Sequence, residues 1–467
     1  MGKELEKSLL NKYNNLFDVY STAELQSAFT FAEDYKSFLD HAKTEREAVY
    51  TSIKLLNNLG FSDIRSKEQL LPGDKVYRSI HNKGLMAAVI GEDKAKAGFN
   101  ILGAHVDSPR FDLKPNPIYE EAEMVFLKTH YYGGVKKYQW TAVPLALHGF
   151  AVRADGTSVK IAIGDDENDP VFMLTDLLIH LSKDQMTKTA AEVVTGEELN
   201  LLIGGRPVPH KDVSERFKVG FLMILKEKYG LSERDIVSAE IQVVPSDKAR
   251  DLGFDRSFIA AYGHDDRVCA YPALRAVAAQ EKSKRTVMLM LTDKEEVGSQ
   301  GNTGAQSQEY ETFMAEVYAK TEGGYDELGF LMALENSAML STDVVNGYDP
   351  NFASTMDIRN NSMMGHGVCL QKYTGSRGKS GASDANAEFL AKVVHLLDEY
   401  KIPWQTGELG KVDQGGGGTI SQYAANRGIE VLDCGVPVLN MHAPQEIVHK
   451  LDLYATHQAY RCFIENM

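Results

Sequence analysis

Cysteine is scarce and scattered in this chain. Cys269, Cys369, Cys434 and Cys462 are its only four in 467 residues, and no two form a CxxC pair. That distribution excludes a zinc knuckle and a disulfide framework, and the expected reading is reduced thiols in a cytoplasmic protein. Long apolar runs are missing too. None reaches the roughly 18 residues of a membrane-spanning helix, and the opening MGKELEKSLLNKYNN has no apolar signal-peptide core. There is no excess of positive charge: the formal net charge of −15 argues against nucleic acid as a partner. Several catalytic signatures are also absent. The chain has no GxSxG elbow and no HExxH. Gly378-Lys379-Ser380 resembles the end of a P-loop, but Tyr373 stands where the earlier glycine is required. The run Gly415 to Gly418 is not GxGxxG after a βα turn, so a dinucleotide is not expected. No repeat or low-complexity tract interrupts the sequence.

What is present has the apolar and charged fractions of a globular protein, and at this length two domains are expected. The stretch up to about Asp40 is polar, mixed and expected to be helical. Thr44 to Leu59 carries apolar residues at helical spacing and stops at Gly60. Gly84 to Ile90 and Phe99 to Ala104 read as strands, the second delivering His105-Val-Asp107. Between about Phe111 and Arg250 the pattern turns to alternation broken by turns, as in Ala142 to Val152, Arg153 to Gly156 and Ser158 to Ile163. Such a texture indicates antiparallel hairpins, with one helix expected over Val171 to Leu181. The expected division is therefore a discontinuous domain, 1–110 and 254–467, carrying an inserted β-rich domain at 111–253.

The α/β texture resumes near Phe254. Asp265-Asp266-Arg267 opens a helix to about Glu281, and Thr286 to Leu291 is a buried strand followed by Glu295 and Glu296. Gly329 to Glu335 reads as another strand. A helix is expected from Ser383 to Tyr400 with Ser383 as N-cap, and another from Thr419 to Asn426. A strand near Val431 leads to Asn440-Met-His442, and Pro444 to Ile464 is expected to be helical.

His105, Asp107, Asp265, Glu295, Glu296, Asp343 and His442 all fall at strand ends or helix starts, the edge where α/β sheets gather ligands. Singly each has an ordinary reading: Asp265 as a helix cap, Asp343 as a turn residue, His442 as a surface histidine, Glu295-Glu296 as an acidic turn. Together they form the mixed histidine and carboxylate shell that two borderline divalent ions require. Two cations about 3.5–4 Å apart need a shared carboxylate, a role Asp265 is placed for. Asp107 can accept the second ring N–H of His105. Of two adjacent glutamates on an extended segment, one can bind metal while the other moves a proton.

The segments GAHVDSPR, GHDDR, DKEEVGS, STDVVNGYDPNF and NMHAPQE, in that order, resemble the metal-site motifs of the aspartyl aminopeptidases, and the resemblance spans nearly the whole chain. It implies a dizinc exopeptidase of mixed α/β fold. One zinc would be held by His105 and Asp343, the other by Glu296 and His442, with Asp265 bridging. Glu295 would be the general base and Asp107 the orienter of His105. Cobalt and manganese suit the same donors. The resemblance further implies a homo-oligomer, a tetrahedral dodecamer built from dimers through the inserted domain. A histidine would reach the neighbouring subunit's site; the matching residue is His180, whose ordinary alternative is a core position on an amphipathic helix. Tyr131 to Trp140 stands where the family has a Gly-rich stretch with an acidic run. The substrate implied is a peptide with a free N-terminus. Lys372, Arg377 and Lys379 are candidates to meet an acidic side chain there, or else form a solvated basic loop. The N–H groups of Gly417 and Gly418 are candidates to hold a substrate carbonyl or carboxylate. Two rivals stand beside this reading: an amidase or deacylase on the same site, and a catalytically silent assembly shell.

Overall fold

The computed structural model describes residues 5, 6 and 9–467; the rest of the N-terminal stretch expected to be helical lies outside the described residues. Its centre is a nine-stranded sheet in the order Ser62–Asp63, Lys75–Ile80, Gly84–Val89, Thr286–Thr292, Phe99–His105, Ala338–Ser341, Glu430–Gly435, Val368–Gln371 and Trp404–Thr406. Thr286–Thr292, Phe99–His105, Ala338–Ser341 and Glu430–Gly435 run parallel to one another, so their C-terminal ends share one edge. Every residue of Phe99–His105 and of Thr286–Thr292 is buried, because helices cover both faces. On one face lie Thr22–Asp40, His264–Ala278 and Lys450–Asn466, contributing Phe31, Tyr35, Leu274, Leu453 and Phe463 to the core. On the other, Gln308–Glu322 and Glu327–Glu335 bring Tyr310, Phe313 and Phe330.

A seven-stranded antiparallel sheet is built wholly from strands between Arg110 and Pro245, in the order Ser158–Ile163, Leu145–Val152, Glu240–Pro245, Arg110–Glu121, Met124–Tyr132, Asn200–Gly204 and Met173–Leu174. It has its own apolar core around Phe111, Trp140, Leu201 and Val243. Thr44 caps the helix Glu45–Asn58 by accepting the N–H of Glu47, and the strands expected at Gly84, Phe99 and Thr286 are present within a residue or two.

Four expectations are corrected. Val171 to Leu181 is not a helix. Phe172 exchanges both backbone hydrogen bonds with Leu145, Met173–Leu174 pairs with Leu201–Leu202, and only Ile179–Leu181 makes a single 3₁₀ turn. Gly329 to Glu335 is helical, within Glu327–Glu335: Asp326 accepts the N–H of Gly329 at 3.0 Å and starts a helix of good helix formers, and the strand comes after it at Ala338–Ser341. The helix expected from Ser383 begins only at Ala387, because the N–H of Ala385 is taken by the Lys372 carbonyl. Pro444 to Ile464 is helical only from Lys450. Before it, Glu446–His449 joins a five-stranded sheet with Arg250–Leu252, Phe258–Ala261, Pro437–Leu439 and Val345–Asn346. The helix Arg216–Tyr229, which packs on the antiparallel sheet, has no counterpart in the reading of the sequence.

Candidate metal centre

The parallel strands deliver the site. His105 is the last residue of Phe99–His105, and Asp343 comes two residues after Ala338–Ser341. Gly435 ends Glu430–Gly435 and lies so near that strand exit that a β-carbon there would stand 1.8 Å from the Asp343 carbonyl oxygen; only glycine permits this approach. The five-stranded sheet supplies the remainder. Phe258–Ala261 leads into Asp265, and the turn between Pro437–Leu439 and Glu446–His449 carries His442. Asp265 and Asp266 have non-helical backbone angles, so the regular helix starts only at Arg267.

Asp265 stands between the two histidines. Its Oδ1 is 3.1 Å from Nε2 of His105, and its Oδ2 is 3.1 Å from Nε2 of His442. Asp343 Oδ1 lies 3.8 Å from the same His105 nitrogen, and Glu296 Oε1 lies 3.3 Å from Nε2 of His442. The five side chains implied as ligands are therefore one cluster. Asp266 joins it: His105, Asp266 and Asp343 offer ligand atoms within 4.8 Å of one another, as do His105, Asp265 and Glu296. The sequence reading passed over Asp266, though its place in an Asp-Asp pair was a signal. Glu295 and Glu296 sit on a 3₁₀ turn, not on extended chain, and successive side chains of such a turn also diverge. The Glu295 carboxylate makes no hydrogen bond or ion pair among the described residues, whereas Glu296 faces His442.

Asp107 does more than its sequence position suggested. Nδ1 of His105 is 3.0 Å from the Asp107 carbonyl oxygen and 3.3 Å from its Oδ1, so the main chain is the nearer acceptor. The carboxylate instead accepts the N–H groups of Glu295 and Glu296, each at 3.2 Å, and the Tyr132 hydroxyl at 2.8 Å. Glu446 works similarly, taking the N–H of Asp265 at 2.9 Å and that of His442 at 2.7 Å. Neither Tyr132 nor Glu446 was singled out from the sequence, where each looks like an ordinary strand residue.

The electrostatics are those of crowded, buried carboxylates. Burial pushes Glu295 up to about 8, with Asp343, Asp107 and Asp265 adding to it against the opposing pull of His105. Glu296 is raised by burial and then by Asp265. Asp265 goes the other way: burial raises it, but the neighbouring imidazoles of His105 and His442 outweigh that and hold it below the usual range. Among the described residues, buried Asp265 Oδ1 and Glu296 Oε1 have no hydrogen-bond donor. Buried acceptors are rarely left so. Unsatisfied carboxylate oxygens beside imidazole nitrogens are the donor set of a zinc-like cation, so the residues present fit such an ion.

Among the described residues, no hydrogen bond or ion pair joins the remaining candidates to this cluster. Lys372 and Lys379 both bond Asp384, at 2.9 and 3.0 Å, while Arg377 has no ion pair among the described residues. The glycine run does not present its amides at a helix start: Gly416–Gly417 pairs with Gly375–Ser376, and the short helix begins at Ser421. His180 is exposed, which removes the core-histidine alternative, and no hydrogen bond or ion pair joins it to the cluster among the described residues.

Residues 38–464 match the sequence profile of the family described as aminopeptidase I zinc metalloprotease (M18). The chain is 48% identical over 466 residues to the probable M18 family aminopeptidase 1 of Clostridium acetobutylicum, covering 99% of this chain and 100% of the relative. The crystal structure of an M18 family aminopeptidase from Thermotoga maritima superposes with a TM-score of 0.94 at 41% identity, over 98% of this chain and all of that one. The mApe1 dodecamer of S. cerevisiae shares the fold at 20% identity, with a TM-score of 0.75 over 93% of this chain and 96% of that one. Among the described residues no helix is long and apolar enough to cross a membrane. The profile match and the close relatives run nearly end to end, through every strand that builds the cluster, and on that basis the chain belongs to the M18 aminopeptidases, a family of zinc metalloproteases.

Proposed function

We propose that the chain removes N-terminal residues from peptides at a dinuclear zinc centre, with His105 and Asp343 for one ion, Glu296 and His442 for the other, Asp265 shared and Glu295 as general base. The observation that carries this reading is the two-sided placement of Asp265, whose two oxygens each lie 3.1 Å from a different histidine. When bound, zinc supplies Lewis-acid polarisation of the scissile carbonyl and acidifies water. Glu295, whose carboxylate is unpaired among the described residues, takes a proton from the attacking water and returns it to the leaving amine as the C–N bond breaks. Asp107 holds that carboxylate in place by accepting the N–H groups of the turn that carries it.

Preference for an acidic N-terminal residue is part of the proposal, with Arg377, which has no ion pair among the described residues, on a loop where Asp384 already engages Lys372 and Lys379. Residues 1–110 and 254–467 form the catalytic unit, and 111–253 the assembly unit. The chain works in the cytoplasm, consistent with four buried, unpaired cysteines. Twelve copies assemble as in the yeast protein, bringing His180 to a neighbouring site; exposed Leu178, Ile179 and Leu181 around it support this.

The deciding experiment is Glu295→Gln with zinc analysis and peptide hydrolysis side by side. Zinc content should survive while kcat falls by about 10²–10⁴. Near-wild-type turnover would remove Glu295 from the mechanism, and cleavage of N-acylated peptides in place of free ones would make the enzyme an amidase.

A further inference from the structure

The strand Met124–Tyr132 of the antiparallel sheet runs directly into the metal centre. The Tyr132 hydroxyl donates to Oδ2 of Asp107 at 2.8 Å. The Gly134 carbonyl lies 2.8 Å from Nδ1 of His442. Between them Gly133, at φ +73°, is so close to Glu296 that an added β-carbon would meet both Cβ and Oε2 of that residue at 3.3 Å. Three consecutive residues thus touch three different parts of the site. We propose that Tyr132-Gly133-Gly134 is a positioning segment of the metal centre, contributed by the antiparallel sheet, that fixes the ring of His442 and the carboxylate of Asp107. The proposal rests on the ligand assignment given above.

The chemistry is directional. A carbonyl oxygen only accepts, so Gly134 can hold His442 only in the form with its proton on Nδ1. That leaves the Nε2 lone pair aimed at Asp265 and Glu296, the orientation a ligating imidazole needs. Asp107 takes two backbone N–H groups from one side, and the Tyr132 hydroxyl adds a third donor from the other sheet. Tyr132 is itself held: the Arg110 guanidinium stacks 3.8 Å from its ring centroid. Gly133 suits the position because its left-handed backbone strains any side chain, and a β-carbon there would crowd Glu296 so that this carboxylate had to shift. The sheet is therefore part of the site's scaffold, and a change in it reaches both histidine-bearing loops.

The test uses the full-length zinc-loaded enzyme. Zinc retention against increasing chelator, the visible spectrum of the cobalt-substituted protein, and separate kcat and KM values are measured for Tyr132→Phe, Gly133→Ala and His442→Ala. Tyr132→Phe keeps the ring on Arg110, so folding is preserved. It and Gly133→Ala should bind zinc about 10–100-fold more weakly, the usual effect of removing such a partner. Both should also alter the cobalt spectrum and lower kcat with little change in KM. Wild-type zinc retention and spectra in both Tyr132→Phe and Gly133→Ala, with zinc lost in His442→Ala, would overturn the positioning role and leave the ligand assignment standing. Undiminished zinc in His442→Ala would instead overturn the ligand assignment itself. If Gly133→Ala fails to fold, Tyr132→Phe decides.

Discussion

Glu446 accepts the backbone N–H of His442 at 2.7 Å with one carboxylate oxygen, and that of Asp265 at 2.9 Å with the other. One side chain thereby holds together two loops that approach the metal centre from distant parts of the chain. His442 has φ +66° and Asn440 φ +60°, left-handed values that cost a non-glycine residue of order 1 kcal/mol or more. The turn persists because Glu446 and its neighbours fix it. In Glu446→Gln one oxygen becomes an amide nitrogen that faces an N–H. The expected result is about 10–100-fold weaker zinc retention with kcat reduced in step. Dialysis against chelator and then metal analysis checks it, and unchanged retention would assign Glu446 to folding alone.

Asp384 ties down Lys372 and Lys379, all three being about half exposed. Releasing the lysines with Asp384→Asn should raise kcat/KM for an N-terminal Asp over an N-terminal Leu by about fivefold, the scale of an exposed ion pair worth up to ~1 kcal/mol. Arg377→Ala should move the ratio the other way. A ratio that stays put in both variants places this loop away from the substrate side chain.

Assembly is open to a complementation experiment. His180→Ala and Glu295→Gln should each be inactive alone. Mixed and reassembled as dimers that exchange His180, they should regain about a quarter of the sites, because each mixed pair builds one intact site. Ile179→Asp with Leu181→Asp should break the oligomer and abolish activity together, read by sedimentation velocity. A fully active small species would refute the shared site.

The contact between helix Glu45–Asn58 and the antiparallel sheet is pH-tuned. Nδ1 of His148 lies 3.0 Å from Glu47, and its Nε2 lies 2.8 Å from Asp165. Burial raises Glu47, but the bonds from His148 and Lys160 outweigh it and bring it from 4.5 down to about 2. Burial lowers His148, but Asp165 and Glu47 outweigh it and lift it above 6.5. A lowered carboxylate stabilises above 4.5 and loses that contribution as pH falls toward 2. A raised imidazole stabilises below 6.5 and loses its contribution as pH rises through the folded value. The contact is therefore strongest between 4.5 and 6.5. Each unit of pKa separation is worth about 1.4 kcal/mol. Thermal midpoints of wild type and His148→Gln from acid to alkaline pH should differ most in that window, and parallel curves would count against the assignment.

Local rules made much of this protein legible. The continuous apolar runs at Phe99 and Thr286 suit strands buried on both faces, and the Thr44 hydroxyl suits the start of the helix Glu45–Asn58. His105, Glu295 and Glu296 stand out because each ends or closely follows such a run, at the edge where parallel strands end together, whereas the strand expected at Gly329 to Glu335 is not the one, Ala338–Ser341, that delivers Asp343. What the pattern could not decide was any competition settled by distant chain. Val171 to Leu181 has a helical spacing, yet Leu145 and Leu201 claim its backbone for a sheet edge. Gly329 to Glu335 is apolar enough for a strand, but short apolar runs carry no period that separates strand from helix. Tyr132, Gly134 and Glu446 do not stand out by residue type, because their role is to accept or donate bonds to residues far away in sequence, a relation that exists only once the chain has folded.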